Sequence, residues 1–395
     1  MNRREFITGA SVAAPLFVPR SAWGANDRLA FGAIGVGNRG RWLKNTFHKL
    51  GARCVALCDV YQPNLETAKS TSPDARTYDD YREMLAAKGM DFVMIATPDH
   101  HHCPMLQDAL NHGLDVYLEK PLSLTLEESV LMVDAGRKSK QIVQVGMQRR
   151  SMSFIRNARE FIREGGLGRI SMVEAFWNWH FQLPLDDSPL PGKLNWDLFL
   201  GSAPKRPLEP KRFRWWRGFW DYSGGNMTDQ GTHLMDVVQW MTDSGPPLSA
   251  TCQGMVVEAN GAEVPNVFSA AFEYPNFIAT WTLNYRSAYE HDWWITFRGE
   301  KGTMVMNRRG YRLYENPGAS PTPWSQNVKE APVREVPDKD GPEPHLQNFL
   351  DCVKSRQTPN CTLAIAAQAV AGPHMANLAY RQGRKVRAQD LGRIS

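Results

Sequence analysis

Lys120 in the stretch EKP (119–121), and Asp229 and His233 in GGNMTDQGTH (224–233), are residue types that suit one piece of chemistry. Taking a hydride from a secondary alcohol leaves a proton on oxygen, and a base must accept it. Imidazole, with an ordinary pKa of about 6.5, does so at neutral pH, and a Lys ammonium polarises the oxygen on which charge develops. Asp229 and His233 stand four apart at the start of an apolar-faced helix, a spacing that puts both on one face. Gly224 and Gly225 let that helix start approach its neighbours closely. Taken alone, a helix cap and a satisfied core histidine account for Asp229 and His233 equally well.

A hydride acceptor is suggested upstream by Gly35-x-Gly37-x-x-Gly40. These glycines follow the apolar run RLAFGAIG and open a helix, and Asp59 ends the next strand about 20 residues later, the setting of a dinucleotide site. Gly35 permits the tight turn, Gly37 admits the pyrophosphate, and Gly40 lets the helix pack on the sheet. Asn38 and Arg39 complete the loop, and the helix start stabilises phosphate charge. A carboxylate at Asp59 bonds adenosine ribose hydroxyls and repels the 2′-phosphate of NADP, so NAD is favoured. Arg39 could offset such a phosphate, which keeps NADP open. Thr97 and Pro98, at the carboxyl end of a buried strand, are placed to line the nicotinamide ribose, with Glu119 and Lys120 at the end of the strand after it. The consecutive His100, His101 and His102 cannot converge on one ion without strain, so polar contacts at a helix start are expected there and no metal.

The elements that must position these groups form two sets. From 26 to 150, strands alternate with helices, which indicates a doubly wound parallel Rossmann sheet. From 151 to 340, a helix, the strand RISMVEAFWNWHF, an irregular Pro- and Trp-rich stretch and the helix THLMDVVQWMTD precede six strands without intervening helices. That pattern indicates an α+β domain with a large, open, mainly antiparallel sheet. Helices in 341–395 are expected to pack back on the body. Of the 13 Trp, those in WNWH, RFRWWRGFWDY and HDWW bring aromatic faces to the second domain, which suits the C–H face of a sugar ring. Gln148, Arg149, Trp177, His180 and Trp220 are the candidates for contact with such a substrate, together with Asp229 and His233.

A net charge of +5 over 395 residues, with no basic stripe, argues against nucleic acid as a partner. The first 25 residues, with Arg3 and Arg4 before a short apolar run, read as a twin-arginine export signal and not a membrane span, which implies a periplasmic or otherwise exported protein. Elsewhere no segment is apolar for long enough to span a bilayer. Cys54 and Cys58, about 13 Å apart on one strand, cannot bridge each other. An oxidising compartment would allow a Cys352–Cys361 bridge, but buried thiols are the expectation for all six cysteines.

The glycine fingerprint, ATPDHHH, EKPL and GGNMTDQGTH, in this order over about residues 28–380, resemble the Gfo/Idh/MocA family of nicotinamide-dependent sugar and cyclitol oxidoreductases. The resemblance implies catalytic roles for Lys120, Asp229 and His233. It places His102 at the family's His after the T-P turn, at the cofactor site. Exported members similar to glucose-fructose oxidoreductase share the twin-arginine signal, which implies a tightly bound cofactor. A homo-oligomer through the C-terminal sheet is also expected. Two other functions compete: a hydrolase that oxidises a glycoside transiently and eliminates its aglycone, and a sugar-binding relative without catalysis. The hydrolase branch tends to replace the EKP Lys and the Asp of D-x-G-x-H, and both are present here; a sensor would not need an intact triad. The expectation at Asp59 is testable at once. Asp59→Ser should weaken NAD and improve NADP relative to it, read as the ratio of the two dissociation constants. Tighter binding of NADP by the unaltered protein would instead give Arg39 the deciding role.

Overall fold

The computed structural model describes residues 28–257, 260–318 and 331–392, so the twin-arginine stretch lies outside the described residues. Six parallel strands form the first sheet: β1 (Ala30–Ile34), β2 (Arg53–Cys58), β3 (Arg76–Tyr78), β4 (Phe92–Ile95), β5 (Asp115–Leu118) and β6 (Val143–Val145). Their order, β3-β2-β1-β4-β5-β6, reverses direction at β1, so the crevice beyond the carboxyl ends of β1 and β4 is the place where such sheets take ligands. Strands β1, β4, β5 and β6 are buried throughout, as a sheet covered on both faces requires. The helix Asn38–Lys49 covers one face with Leu43 and Phe47, joined there by Phe349 and Leu350 of the C-terminal helix Glu343–Ser355. Leu106 of helix His102–Asn111 and Met132 of helix Leu126–Lys138 cover the other.

The second sheet has nine strands: β7 (Ile170–Asn178), β8 (Ser249–Met255), β9 (Val267–Glu273), β10 (Ile278–Asn284), β11 (Asp292–Gly299), β12 (Gly302–Asn307), β13 (Gly310–Glu315), β14 (Arg334–Pro337) and β15 (Val386–Arg387). Its order is β14-β13-β12-β11-β7-β10-β9-β8-β15, antiparallel except where β7 meets β10. Alternation along β7 and β10 sends Val173, Ala175, Trp177 and Ala279, Trp281, Leu283 into one core with Leu234 and Val238 of helix Gly231–Thr242. The last long helix, Leu363–Gln382, ties the halves together. Ala366 and Val370 belong to the core of the first sheet, whereas Met375 and Ala379 belong to that of the second.

Three short strands, β3, β14 and β15, are absent from the sequence-based expectation, because two to four residues are too few to show a period. All six cysteines are free and buried. The expected single helix carrying Asp229 and His233 is interrupted: one helix spans Gly225–Asp229, and after Gln230 the next spans Gly231–Thr242. The His233 amide bonds the Gln230 carbonyl at 3.1 Å, a tightened turn at the junction. Gly231 is required by packing, since a Cβ there would lie 2.8 Å from Nε1 of the fully buried Trp281.

At Gly225 two constraints coincide. Its φ of +65° disfavours any side chain, and a Cβ would come within 1.9 Å of Val264 Cγ1. Gly225→Ala is expected to cost roughly 2 kcal/mol or more of unfolding free energy. Gly245→Ala, where nothing lies within 4 Å, should change stability by less than about 0.5 kcal/mol. Urea denaturation of both variants measures the contrast, and equal losses would show that the Gly225 contact is easily relieved.

Candidate active site

The glycine loop forms a cradle at the carboxyl edge of the first sheet. Gly35 has φ +77° and donates its amide to Cys58 O at 2.8 Å; a Cβ there would lie 2.7 Å from Ala96 O. A Cβ at Gly40 would lie 1.8 Å from Gly35 O, so the helix packs against the turn with no room for a methyl. A Cβ at Gly37 would meet only Asn64 Nδ2, at 3.8 Å, and this glycine begins a helix that has no side-chain cap and no acid in its first turn. The amides of that turn and the positive end of the helix are therefore free to meet a pyrophosphate. Asp59 accepts the amides of Val36 (2.8 Å) and Tyr61 (2.9 Å), and burial pushes its carboxyl up to about 6. A cavity of about 1070 Å³ runs along this edge, lined by Gly35, Gly37, Asn38, Arg39, Gly40, Asp59, Thr97, Pro98, Glu119 and Lys120. These groups fit a nicotinamide dinucleotide: Asp59 would hold the adenosine ribose, the glycine loop the pyrophosphate, and Lys120 would lie toward the nicotinamide.

Two expected roles change in the structure. Arg39 bonds Glu119 Oε1 through Nε at 2.9 Å and a terminal nitrogen at 2.8 Å, and lies over Trp42. Glu119 follows β5 whereas Asp59 follows β2, on the opposite side of β1, so Arg39 is held away from the position a 2′-phosphate would take. His102 does not line the cavity. It is fully buried, with Nδ1 2.8 Å from Pro121 O and Nε2 3.1 Å from Thr97 O, and so fixes the turns after β4 and β5 that carry Thr97 and Lys120.

Beyond Lys120 the two halves of the chain meet. Lys120 Nζ donates to both the carboxylate and the backbone carbonyl of Asp229, each at 2.8 Å. Arg217, absent from the sequence-based candidates, brings Nε to 3.2 Å from the same Asp229 oxygen and stacks on Trp216 at 4.1 Å. Burial alone would push the Asp229 carboxyl up, but the Arg217 and Lys120 charges overrule it and hold the group well below the usual carboxylate range. For His233, burial, reinforced by the charge of Lys120, pushes the imidazole well below its usual range, so it is neutral at pH 7. Its Nδ1 is buried with no partner among the described residues, and the cavity lining includes Lys120 and Arg217 but neither Asp229 nor His233.

The five aromatic and polar substrate candidates, Gln148, Arg149, Trp177, His180 and Trp220, do not line the cavity. Arg149 is buried, stacked on Trp293 at 3.8 Å and near Trp177 at 5.7 Å, and donates to the His233 carbonyl at 3.2 Å. Gln148 Oε1 and Trp177 Nε1 are buried without partners among the described residues. His180 is exposed and bridges Arg286, while Trp220 lies under Arg381 at 5.2 Å. The cavity wall comes instead from residues 181–217, within the irregular Pro- and Trp-rich stretch. This strap is docked on the ends of β2 and β4 and on the helix that carries Asp229. Tyr61 OH bonds Pro191 O, and Asn195 donates to Val60 O at 2.8 Å; His100 and His101 both reach Phe199 O at 2.8 Å; and Arg217 reaches Asp229. Phe213 packs on Tyr61 with ring centres 5.0 Å apart, so Phe213 to Arg217 follows the groove from the adenosine end to Lys120. A segment without a repeating apolar period gives no periodic signal in the sequence. Only the density of Arg and Trp in RFRWWRG marked it.

Asp99 ties the strap's end to the first sheet. Its Oδ2 accepts the Ser223 hydroxyl at 2.7 Å, and Ser223 Oγ accepts the Gly225 amide at 3.0 Å, at the start of the helix that carries Asp229. Burial, with the Asp229 charge adding to it, pushes the Asp99 carboxyl up to about 7. Unfolded, the group titrates at about 3.9. Between those values the folded chain holds a proton that the unfolded chain has released, so this group's contribution to stability falls as pH rises from about 4 to 7 and is level above. The melting-temperature gain of Asp99→Asn over the unaltered protein should therefore grow across that window and then level off. A gain independent of pH would mean that Asp99 is ionised throughout.

Residues 29–147 match the oxidoreductase family with an NAD-binding Rossmann fold, and residues 155–305 match the GFO/IDH/MocA C-terminal domain. The rhizopine catabolism protein MocA of Rhizobium meliloti is 28% identical over 220 residues, 55% of this chain and 59% of that protein. A glycosyl hydrolase family 109 protein of Stenotrophomonas maltophilia is 32% identical over 193 residues, 44% of this chain and 42% of its own length. The chain thus spans less than two thirds of either relative. Among solved structures, the WlbA dehydrogenase of Bordetella pertussis in complex with NADH and UDP-GlcNAcA superposes with a TM-score of 0.69 at 21% identity, covering 91% of this chain and 98% of that one, a likeness of fold. With both halves of the chain matched, the chain belongs to the Gfo/Idh/MocA oxidoreductase family.

Proposed function

We propose that the protein is an NAD-dependent oxidoreductase acting on a ring hydroxyl or ketone of a sugar, glycoside or cyclitol. The observation that carries this reading is the Lys120–Asp229 contact, which sets an ammonium at the nicotinamide end of the cradle beside a neutral His233. Bound nicotinamide supplies the hydride acceptor. Lys120, oriented by Asp229, donates a hydrogen bond to the carbinol oxygen and stabilises negative charge there, and Nε2 of His233 takes the hydroxyl proton. Asp229 stays ionised and orients the ammonium. Names of relatives support the substrate class, since the fold-related WlbA structure carries NADH and a sugar nucleotide.

Three further features belong to this proposal. The cofactor is NAD, held tightly, because the strap docked from Tyr61 to Asp229 must lift for the dinucleotide to leave. The twin Arg3–Arg4 start supports export to the periplasm, where a retained cofactor is regenerated in place by a second carbonyl compound. The outward side chains of β10, Ile278, Thr280 and Thr282, offer a surface for a second copy through the large sheet. Among the described residues no helix is long and apolar enough to cross a membrane. A second reading, transient oxidation and aglycone elimination, is favoured by the glycosyl hydrolase family 109 relative.

A panel of sugars and glycosides added to protein carrying NAD, followed at 340 nm and by aglycone release, separates the two. Reduced cofactor accumulating in the single-turnover phase supports the oxidoreductase, and aglycone release with no net reduction supports the hydrolase. Lys120→Met and His233→Ala should each lose about 100-fold or more in turnover while keeping their bound nicotinamide. Rates in both variants equal to those of the unaltered protein would refute the role assignment. Denaturing the extensively dialysed protein should release near-stoichiometric NAD, and empty protein would refute tight retention.

A further inference from the structure

We propose that the substrate carries a carboxylate gripped by Arg217, so that the site takes a sugar acid, such as a uronic acid or its glycoside, in preference to the neutral sugar. This rests on the oxidoreductase reading and names its substrate class. Arg217 lines the same cavity as Lys120, with its side chain 31% exposed. It is fixed from two sides: Nε faces Asp229 Oδ1 at 3.2 Å, and the guanidinium carbon sits 4.1 Å from the centre of the Trp216 ring. Its two terminal nitrogens make no hydrogen bond with any described residue. They form the edge of the guanidinium that presents two parallel N–H donors, the geometry that matches the two oxygens of a carboxylate.

The charges around the site point the same way. Asp229, the carboxylate at its centre, faces two cations, Lys120 and Arg217. A third, Arg149, is buried at the His233 carbonyl with no carboxylate in ion-pair range among the described residues. Burial pushes Arg149 down only to about 9, so it is still charged at neutral pH. Of the neighbouring acids, Glu119 is committed to Arg39 at 2.8 Å and Asp236 to Arg150 at 2.6 Å, and Asp99, pushed up to about 7 by burial, carries only part of a charge at neutral pH. Positive charge left unbalanced in a site of low dielectric is costly, and an anionic ligand relieves it. The cofactor's pyrophosphate is not that anion, because its cradle is the Gly35–Gly40 turn, whereas Arg217 sits on Asp229 beyond Lys120. A developing alkoxide is already served by Lys120.

The test uses protein loaded with NAD and matched pairs of ligands: glucuronate against glucose, galacturonate against galactose, and the methyl glycosides of each. Binding is read from tryptophan fluorescence and turnover at 340 nm. A uronate should bind about 10-fold or more tightly than its parent hexose. Arg217→Gln should abolish that preference, bringing the ratio of the uronate KM to the hexose KM from about 0.1 or less to about 1, whatever loss of turnover the two ligands share through Asp229. Arg217→Lys should recover only part of it, since an ammonium lacks the paired donors. Equal binding of uronates and hexoses by the unaltered protein, or no uronate binding at all, overturns the proposal without reference to any variant. A uronate preference that survives in Arg217→Gln also overturns it, because another group would then grip the carboxylate. Uronate binding with no change at 340 nm and no aglycone release would uphold the carboxylate site while counting against the redox reading.

Discussion

The contact of Lys120 Nζ with the carboxylate and carbonyl of Asp229 joins the end of β5 to the start of the helical segment in the second half of the chain. It is made across 109 residues and at low exposure, 14% for Lys120 and 9% for Asp229. An ion pair of this kind stabilises the structure only if both partners are placed well, because each loses hydration on burial. Much of the surrounding architecture serves that placement. His102 fixes the carbonyls of Thr97, after β4, and Pro121, next to Lys120, and Ser223 and Asp99 fix the start of the helix that carries Asp229. Helix Leu363–Gln382 crosses both cores, and its Asn377 bonds Gly224 O at 2.7 Å, which holds the same turn from behind.

The strap gives this arrangement its enclosure. Its own small core, built on Leu185, Phe199, Leu200, Phe219 and Tyr222, lets 181–222 hold a defined shape although its helices are only five residues long. Arg212 reinforces it through Glu263 at 2.9 Å and the Phe219 ring at 4.2 Å. Because it meets the first sheet at the ends of β2 and β4 and the second domain at Asp229, the groove is walled by residues from both domains. The Lys120–Asp229 pair at its end is largely screened from solvent, which strengthens that interaction.

How much of this the sequence determined differs from group to group. The glycine loop, Asp59 and the EKP turn were legible because backbone conformation imposes them locally: Gly35 needs φ +77°, and a Cβ at Gly40 would strike the carbonyl of Gly35. Strand and helix periods likewise fixed the two-sheet plan, since burial on one or both faces is written in apolar spacing. What the period could not show was β3 and β14, too short to repeat, and the break at Gln230, whose dihedrals remain helical.

Only the tertiary structure decided which polar side chains share the site. Arg39 and Glu119 are 80 residues apart, and their pairing follows from the strand order, which sequence spacing does not encode. Trp177, Trp220 and Arg217 all lie in Trp-rich stretches of similar composition. Alternation along β7 sends Trp177 into the core, Arg381 covers Trp220, and the docking of the strap turns Arg217 onto Asp229. Residue type and local pattern thus determined what chemistry the chain can offer. Long-range packing, which sets distance and desolvation together, determined which groups perform it.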